Sequence, residues 1–232
     1  EDDRDFLAAR GIGRAERTHL VPGSGVDLTQ FPVTSEPPAP PVRAVLVGRL
    51  LKTKGVAEFA QAARILKDRG RAIRMVLVGA PDPGNPTTVT QDRIDAWMAD
   101  GLVEWTGERD DIAAVWATAH IAVLPSYREG LPKSLLEAAA SGRPLVATDV
   151  PGCRALVRDG DNGLLVPPRD AAALADAIDR LADDDALRRT FGAAARADVE
   201  ARLSQERIAD AVQTLYRHLL GGMGYPSSGP EA

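Results

Sequence analysis

A single cysteine, Cys153, among 232 residues leaves no partner for an internal disulfide. That usage fits a reducing cytoplasm, and a lone small thiol is expected as a buried packing residue. No apolar run reaches the roughly 20 residues that a bilayer-spanning helix requires. Basic residues are outnumbered, 28 Lys and Arg against 33 Asp and Glu, for a net charge of −5. With no basic face evident, the chain does not read as a nucleic-acid binder. The Gly-x-Gly-x-x-Gly and Walker patterns are missing, which removes a dinucleotide loop and a P-loop. None of the Asp-x-Asp triplets, at 3–5, 159–161 and 183–185, points to a bound metal, and the histidines at 19, 120 and 218 are too scattered for a site. No cofactor is expected, and His120, at the start of an apolar run, reads as structural.

What is present is enough hydrophobic residue, 44%, for one sizeable α/β core or two small ones. Residues 2–10 read as a short helix closed at Gly11, and Thr18–Pro22 as a brief strand. The run Pro37-Pro-Ala-Pro-Pro41 reads as a stiff, extended spacer. From Val42 strands and helices alternate, which predicts a Rossmann-like parallel sheet with helices on both faces. The strands are Val42–Gly48, Ile73–Gly79, Val103–Trp105, Ile121–Leu124, Pro144–Thr148 and Asn162–Pro167. Helices are expected over 56–69, 90–99, 110–119, 134–141, 170–182 and 185–201. A last amphipathic helix over 204–220 presents Ile208, Val212, Leu215, Tyr216 and Leu219 at helical spacing. Its polar face carries no Lys/Arg cluster, so the stripe reads as a packing face, and where unpacked as a surface for dimerisation. The tail 221–232 is expected to be disordered.

Two loops at strand ends carry the chemistry. Glu129 lies in the loop after the fourth strand, and Glu137, in Lys133-Ser-Leu-Leu-Glu137, about two turns inside the next helix. At ~1.5 Å rise per residue the two carboxylates lie roughly 10–12 Å apart, too far to share a proton. The spacing suits two hydroxyl-bearing ends of one extended ligand, with a helix N-terminus between them to favour a diphosphate. Sugar, diphosphate and ribose in that order describe a nucleotide sugar. The second loop, Gly48-Arg-Leu-Leu-Lys-Thr-Lys-Gly55, follows the first strand and places Arg49 and Lys54 as a clamp for that diphosphate. Lys52 between them reads as solvated.

Ser126-Tyr-Arg-Glu-Gly-Leu-Pro-Lys-Ser-Leu-Leu-Glu-Ala138, followed by Arg143-Pro-Leu-Val-Ala-Thr-Asp-Val-Pro-Gly-Cys-Arg154, resembles the Glu-x7-Glu element of retaining GT-B glycosyltransferases of family 4. Its form is closest to bacterial members that build cell-surface glycans on lipid carriers. Gly48-Arg49 with Lys54-Gly55 resembles the family's Gly-Arg-x4-Lys-Gly, and Val21–Asp27 its interdomain crossing.

The resemblance implies that Arg49 and Lys54 take the donor diphosphate, Glu129 the sugar hydroxyls and Glu137 the ribose hydroxyls. Gly48 and the backbone N–H groups of Gly130, Leu131, Lys133, Ser134 and Leu135 complete the donor set, while Pro132 has none to offer. The base is expected near Val103–Gly107, held mostly by backbone atoms. Retention by a front-face mechanism is implied, with the leaving diphosphate stabilised by Arg49, Lys54 and the helix N-terminus, and Glu129 beside them. The donor is expected to be UDP-linked and the acceptor a glycan or polyprenyl-linked molecule. The family pattern further implies that residues 1–40 are the end of an N-terminal domain and a linker. Residues 41–203 are then the donor domain and 204–220 a crossing helix, a unit that binds donor without turning it over. The full-length protein is expected in the cytoplasm, peripheral at the inner membrane face. Two other readings fit the same loops: a non-catalytic nucleotide-sugar binding module, and a related sugar-nucleotide enzyme such as an epimerase. The latter needs further titratable cleft residues, and none stands out.

Overall fold

The computed structural model describes residues 2–13, 18–21 and 23–222. In chain order the elements are α1 (Asp2–Ala9), β1 (Val42–Val47), α2 (Val56–Asp68), β2 (Ile73–Val78), α3 (Gln91–Ala99), β3 (Glu104–Trp105), α4 (Ile112–Ala117) and β4 (Ile121–Leu124). They continue with α5 (Lys133–Ala140), β5 (Leu145–Thr148), α6 (Pro151–Arg154), β6 (Gly163–Val166), α7 (Ala171–Asp183), α8 (Asp185–Arg202) and α9 (Gln205–Gly222). The strands form one parallel sheet in the order β3-β2-β1-β4-β5-β6.

The strands read as unbroken apolar runs because both faces of the sheet are covered. Val42, Ala44 and Leu46 of β1, with Met75 and Leu77 of β2, point into one core with α2, α3 and α7. Val45 and Val47, with Val76 and Val78, point into the other, against Trp116, α5, Cys153 and the Ala195–Val199 face of α8. The successive strand residues therefore sort by parity. Asp184 separates α7 from α8 by itself, since its carboxylate accepts from Leu187 N at 2.8 Å and caps α8.

The sheet's connectivity reverses at β1. From there the chain works outward to β2 and β3, then returns to β4 on the other side and moves outward to β6. The carboxyl ends of β1 and β4 are thus neighbours at a topological switch point, where open α/β sheets place their ligands.

Three expectations change. Thr18–Val21 carries no strand, and Pro22 lies outside the described residues. α6 was not expected; Pro151 at its first position supplies the fixed φ that starts a single turn. α9 runs on through Gly222, and residues 223–232 of the expected disordered tail lie outside the described residues. Ile208 on α9 is buried, whereas Tyr216, Leu219 and Leu220 are exposed, so only the near half of its apolar stripe is packed. Among the described residues no helix is long and apolar enough to cross a membrane.

Residues 26–37 lie across the body. Val26 N donates to Leu203 O at 3.0 Å, and Gln205 N to Val26 O at 2.9 Å. His120 is structural: its Nδ1 accepts from Arg43 N and its Nε2 bonds Pro37 O, both at 3.0 Å, while burial holds its pKa below the ordinary range. Arg143, 1% exposed, donates from Nε to Trp116 O at 2.9 Å and from Nη2 to Thr34 O at 3.0 Å. A buried cation whose hydrogen bonds go to main-chain carbonyls and to Thr34 Oγ1 leaves those acceptors stranded when removed. Arg143→Met is therefore expected to lower unfolding stability by roughly 2–3 kcal/mol, read as a lower urea midpoint at unchanged slope. An unchanged midpoint would remove Arg143 from the packing of 34–35.

Candidate active site at the switch point

Gly48 and Arg49 leave β1, and the chain makes a short 3-10 turn, Lys52–Lys54, before Gly55 opens α2. Gly55 has φ 72°, and a Cβ there would stand 2.0 Å from Pro125 O, beyond β4. Only glycine lets the two loops meet this closely. Tyr127 N donates to Thr53 O at 2.9 Å and sews the loops together.

Lys54 and Glu129, read separately from the sequence, are direct partners: Nζ donates to Oε1 at 2.6 Å. Glu129 is held from below as well, because a Cβ on Gly152 of α6 would meet Glu129 O and Gly130 O at 2.4 and 2.1 Å. Tyr127 Oη donates to Glu58 Oε1 at 2.6 Å, and the Arg169 guanidinium lies 4.7 Å over the Tyr127 ring. Arg169 has φ 63°, a strained setting for a side-chain residue.

α5 starts at Lys133 behind Pro132, and no side chain caps it. The first N–H groups of the helix, on Lys133, Ser134 and Leu135, are thereby presented at the switch point. Glu137 is its fifth residue, just over one turn in rather than the two expected, since only four residues separate it from the helix start at 3.6 residues per turn. Glu137 is buried, and Lys133 Nζ, itself exposed, approaches it at 3.5 Å. Burial pushes the Glu137 carboxyl above its ordinary range, against a smaller opposite pull from Lys133. Gly130 is exposed, Leu131 and Ser134 are half-buried and Leu135 is buried.

Arg49 lies one strand end away with Nη1 bonded to Asp82 Oδ2 at 3.0 Å. It lines a cleft of about 380 Å3 formed with Gly48, Gly79, Asp82, Glu108 and Arg109. The expected base loop, Val103–Gly107, is bonded to the wall of this cleft without lining it: Gly79 N donates to Gly107 O at 2.7 Å and Trp105 Nε1 to Gly79 O at 2.8 Å. Sequence reasoning passed over Asp82, Glu108, Arg109, Tyr127 and Gly152. For Asp82 a signal existed, since it is the carboxylate of a Pro- and Gly-rich loop at a strand's carboxyl end. Cys153 is buried beneath the site, its thiol pushed up to about 12 mainly by burial and further by the Glu129 charge. It is a packing residue.

Residues 41–184 match the family model described as glycosyl transferases group 1. The chain belongs to that family. This group 1 chain is 36% identical over 144 residues to N,N'-diacetylbacillosaminyl-diphospho-undecaprenol alpha-1,3-N-acetylgalactosaminyltransferase of Campylobacter jejuni, covering 62% of the chain and 36% of that protein. It is 34% identical over 175 residues to alpha-D-kanosaminyltransferase of Streptomyces kanamyceticus, covering 75% and 45%. The chain thus spans less than half the length of either relative. The solved sucrose-phosphate synthase of Thermosynechococcus elongatus superposes with a TM-score of 0.82 at 31% identity, over 96% of this chain and 57% of that one.

Two outcomes follow from the charges. Lys54→Met leaves Glu129 enclosed without its cation and is expected to cost roughly 2–3 kcal/mol of stability, which Lys54→Met/Glu129→Gln recovers in large part. A double variant as unstable as the sum of the singles would show that the pair is not coupled. Glu137 has the opposite sign. Its raised pKa means that stability present below the ordinary Glu value of 4.5 is lost as pH climbs through the raised one. Glu137→Gln is therefore expected to raise the melting temperature at pH 7, with the gain shrinking below pH 4.5. A lower melting temperature at pH 7 would refute this.

Proposed function

We propose that the chain carries the donor half of a retaining glycosyltransferase of family 4. It takes a UDP-linked sugar and serves a glycan or polyprenyl-linked acceptor held by a further domain, at the cytoplasmic side of a membrane. The observation that carries the reading is the set of paired charges around one strand junction: Lys54 with Glu129, Arg49 with Asp82 and Lys133 with Glu137, beside the uncapped start of α5. Anionic and hydroxyl-bearing parts of one ligand can replace the partners of Lys54 and Lys133 in turn and take the free edge of the Arg49 guanidinium.

In this reading the diphosphate lies between Arg49, Lys54 and the N–H groups of Lys133, Ser134 and Leu135. Glu129 accepts from the sugar hydroxyls, with Gly130 and Leu131 N–H beside it, and Glu137 accepts from the ribose. As the bond from the anomeric carbon to the diphosphate breaks, its electron pair leaves on phosphate oxygen. Fixed cations and a helix N-terminus stabilise that charge in the transition state without a metal. The names of the relatives favour the acceptor class: one acts on a diphospho-undecaprenol substrate, and another, 28% identical, serves capsular polysaccharide synthesis in Staphylococcus aureus.

Calorimetric titration of this chain with UDP, UDP-GlcNAc, UDP-Gal and GDP-mannose tests the reading. UDP is expected to bind, and Arg49→Ala/Lys54→Ala to weaken it by at least about 100-fold, as the loss of two charge-assisted contacts implies. Equal UDP affinity in a folded double variant would reject the clamp.

A further inference from the structure

Two cations line the cleft, and they are not equally free. Arg109 is gripped by Asp111 along one whole edge, Nε to Oδ1 at 2.6 Å and Nη2 to Oδ2, so its fork already faces a carboxylate. Among the described residues Arg49 is held at one point, Nη1 to Asp82 Oδ2, and its side chain is 64% exposed. A guanidinium carries five N–H donors in one plane, so single-point attachment leaves an edge open for a second, bidentate anion.

Asp82 is itself fixed. Its backbone N donates to Thr88 Oγ1 at 2.8 Å. Its loop is laced to the loop that carries Arg49: Leu50 N donates to Ala80 O at 2.9 Å, Lys52 N to Thr87 O at 2.7 Å and Val89 N to Leu50 O at 2.8 Å. Asn85 Oδ1 braces the far end by accepting from Thr87 N and Oγ1. Arg49 and Asp82 therefore ride on one body, and the Asp82 carboxylate projects on a short side chain from a backbone held in place. An ion pair this exposed adds little to stability. Its effect falls on where a long, otherwise mobile side chain points, which lowers the ordering cost when a ligand arrives.

We propose that Asp82 is a positioning residue for the nucleotide's diphosphate: it holds one corner of the Arg49 guanidinium so that the open edge faces the switch point. This rests on the nucleotide-sugar reading above and adds to it a residue that makes no ligand contact of its own.

The test is a double-mutant cycle on this chain, read as UDP affinity by calorimetry, with thermal melts to establish that each variant is folded. Asp82→Asn is expected to weaken UDP about tenfold, within the range of coupled neighbours, and to have no further effect once Arg49→Ala is present. Unchanged or tighter UDP binding in Asp82→Asn would overturn the proposal, because the carboxylate would then be a bystander or a competitor. An equal loss in the Arg49→Ala background would overturn it too, since Asp82 would be acting through the loop and not through Arg49. If the wild-type chain binds no UDP, the nucleotide-sugar reading fails and this proposal with it. If it binds UDP and the cycle is flat, only the role of Asp82 falls.

Discussion

Everything at the site depends on backbones that approach more closely than a side chain would permit. A Cβ at Gly55 would sit on the carbonyl of Pro125, one at Gly79 on the carbonyl of Gly48, and one at Gly152 on those of Glu129 and Gly130. These contacts stack the loops after β1, β2, β4 and β5 at the sheet's carboxyl edge. Reaching sideways across that stack, Lys54 finds Glu129 and Arg49 finds Asp82. The ionic arrangement is thus a product of steric closeness. An ion pair as exposed as Arg49–Asp82 would not by itself hold these loops together.

At rest the edge is close to self-neutralised. Each of the three cations that bear on the proposed diphosphate site has a carboxylate at 3.5 Å or less. At Lys54 and Lys133 such a site exchanges partners on binding, while Arg49 keeps Asp82 and gains a partner on its open edge. Selectivity for a ligand that offers both anionic oxygens and hydroxyls follows, since a bare anion would leave the displaced carboxylates without donors. Enclosure of Glu137 fits the same account: an environment that penalises its charge rewards a hydroxyl donor placed beside it.

Much of this was legible in the sequence. The strands declared themselves because a sheet covered on both faces requires apolar residues at both parities, as in Val42–Val47. Arg49, Lys54, Glu129 and Glu137 were identifiable because strand ends and helix starts concentrate ligand contacts. What did not show was who pairs with whom. Lys54 and Glu129 are 75 residues apart and Arg49 and Asp82 are 33 apart, and each meeting depends on the order of strands in the sheet, which local pattern does not encode. The role of Gly152 was hidden for the same reason, because its constraint is a carbonyl from another loop. α5 starts one residue before the expected Ser134, since Pro132 stands at the N-cap and Lys133 is the first helical residue. The stretch at 18–21 shows that apolar residues without a neighbouring strand to bond remain irregular.

The bridge at Val26 gives the molecule a particular mechanical character. The chain enters the body through 24–26 and leaves it through 203–205, and two main-chain bonds join those passages side by side. A Cβ at Gly25 would press on Gln205 Cα at 2.8 Å, so there is no slack between them. Torque applied to α9 is consequently felt at Val26, and a pull on the incoming segment is felt at the root of α9. Where two independent tethers would let each end swivel alone, this joint behaves as a double strap with a single axis.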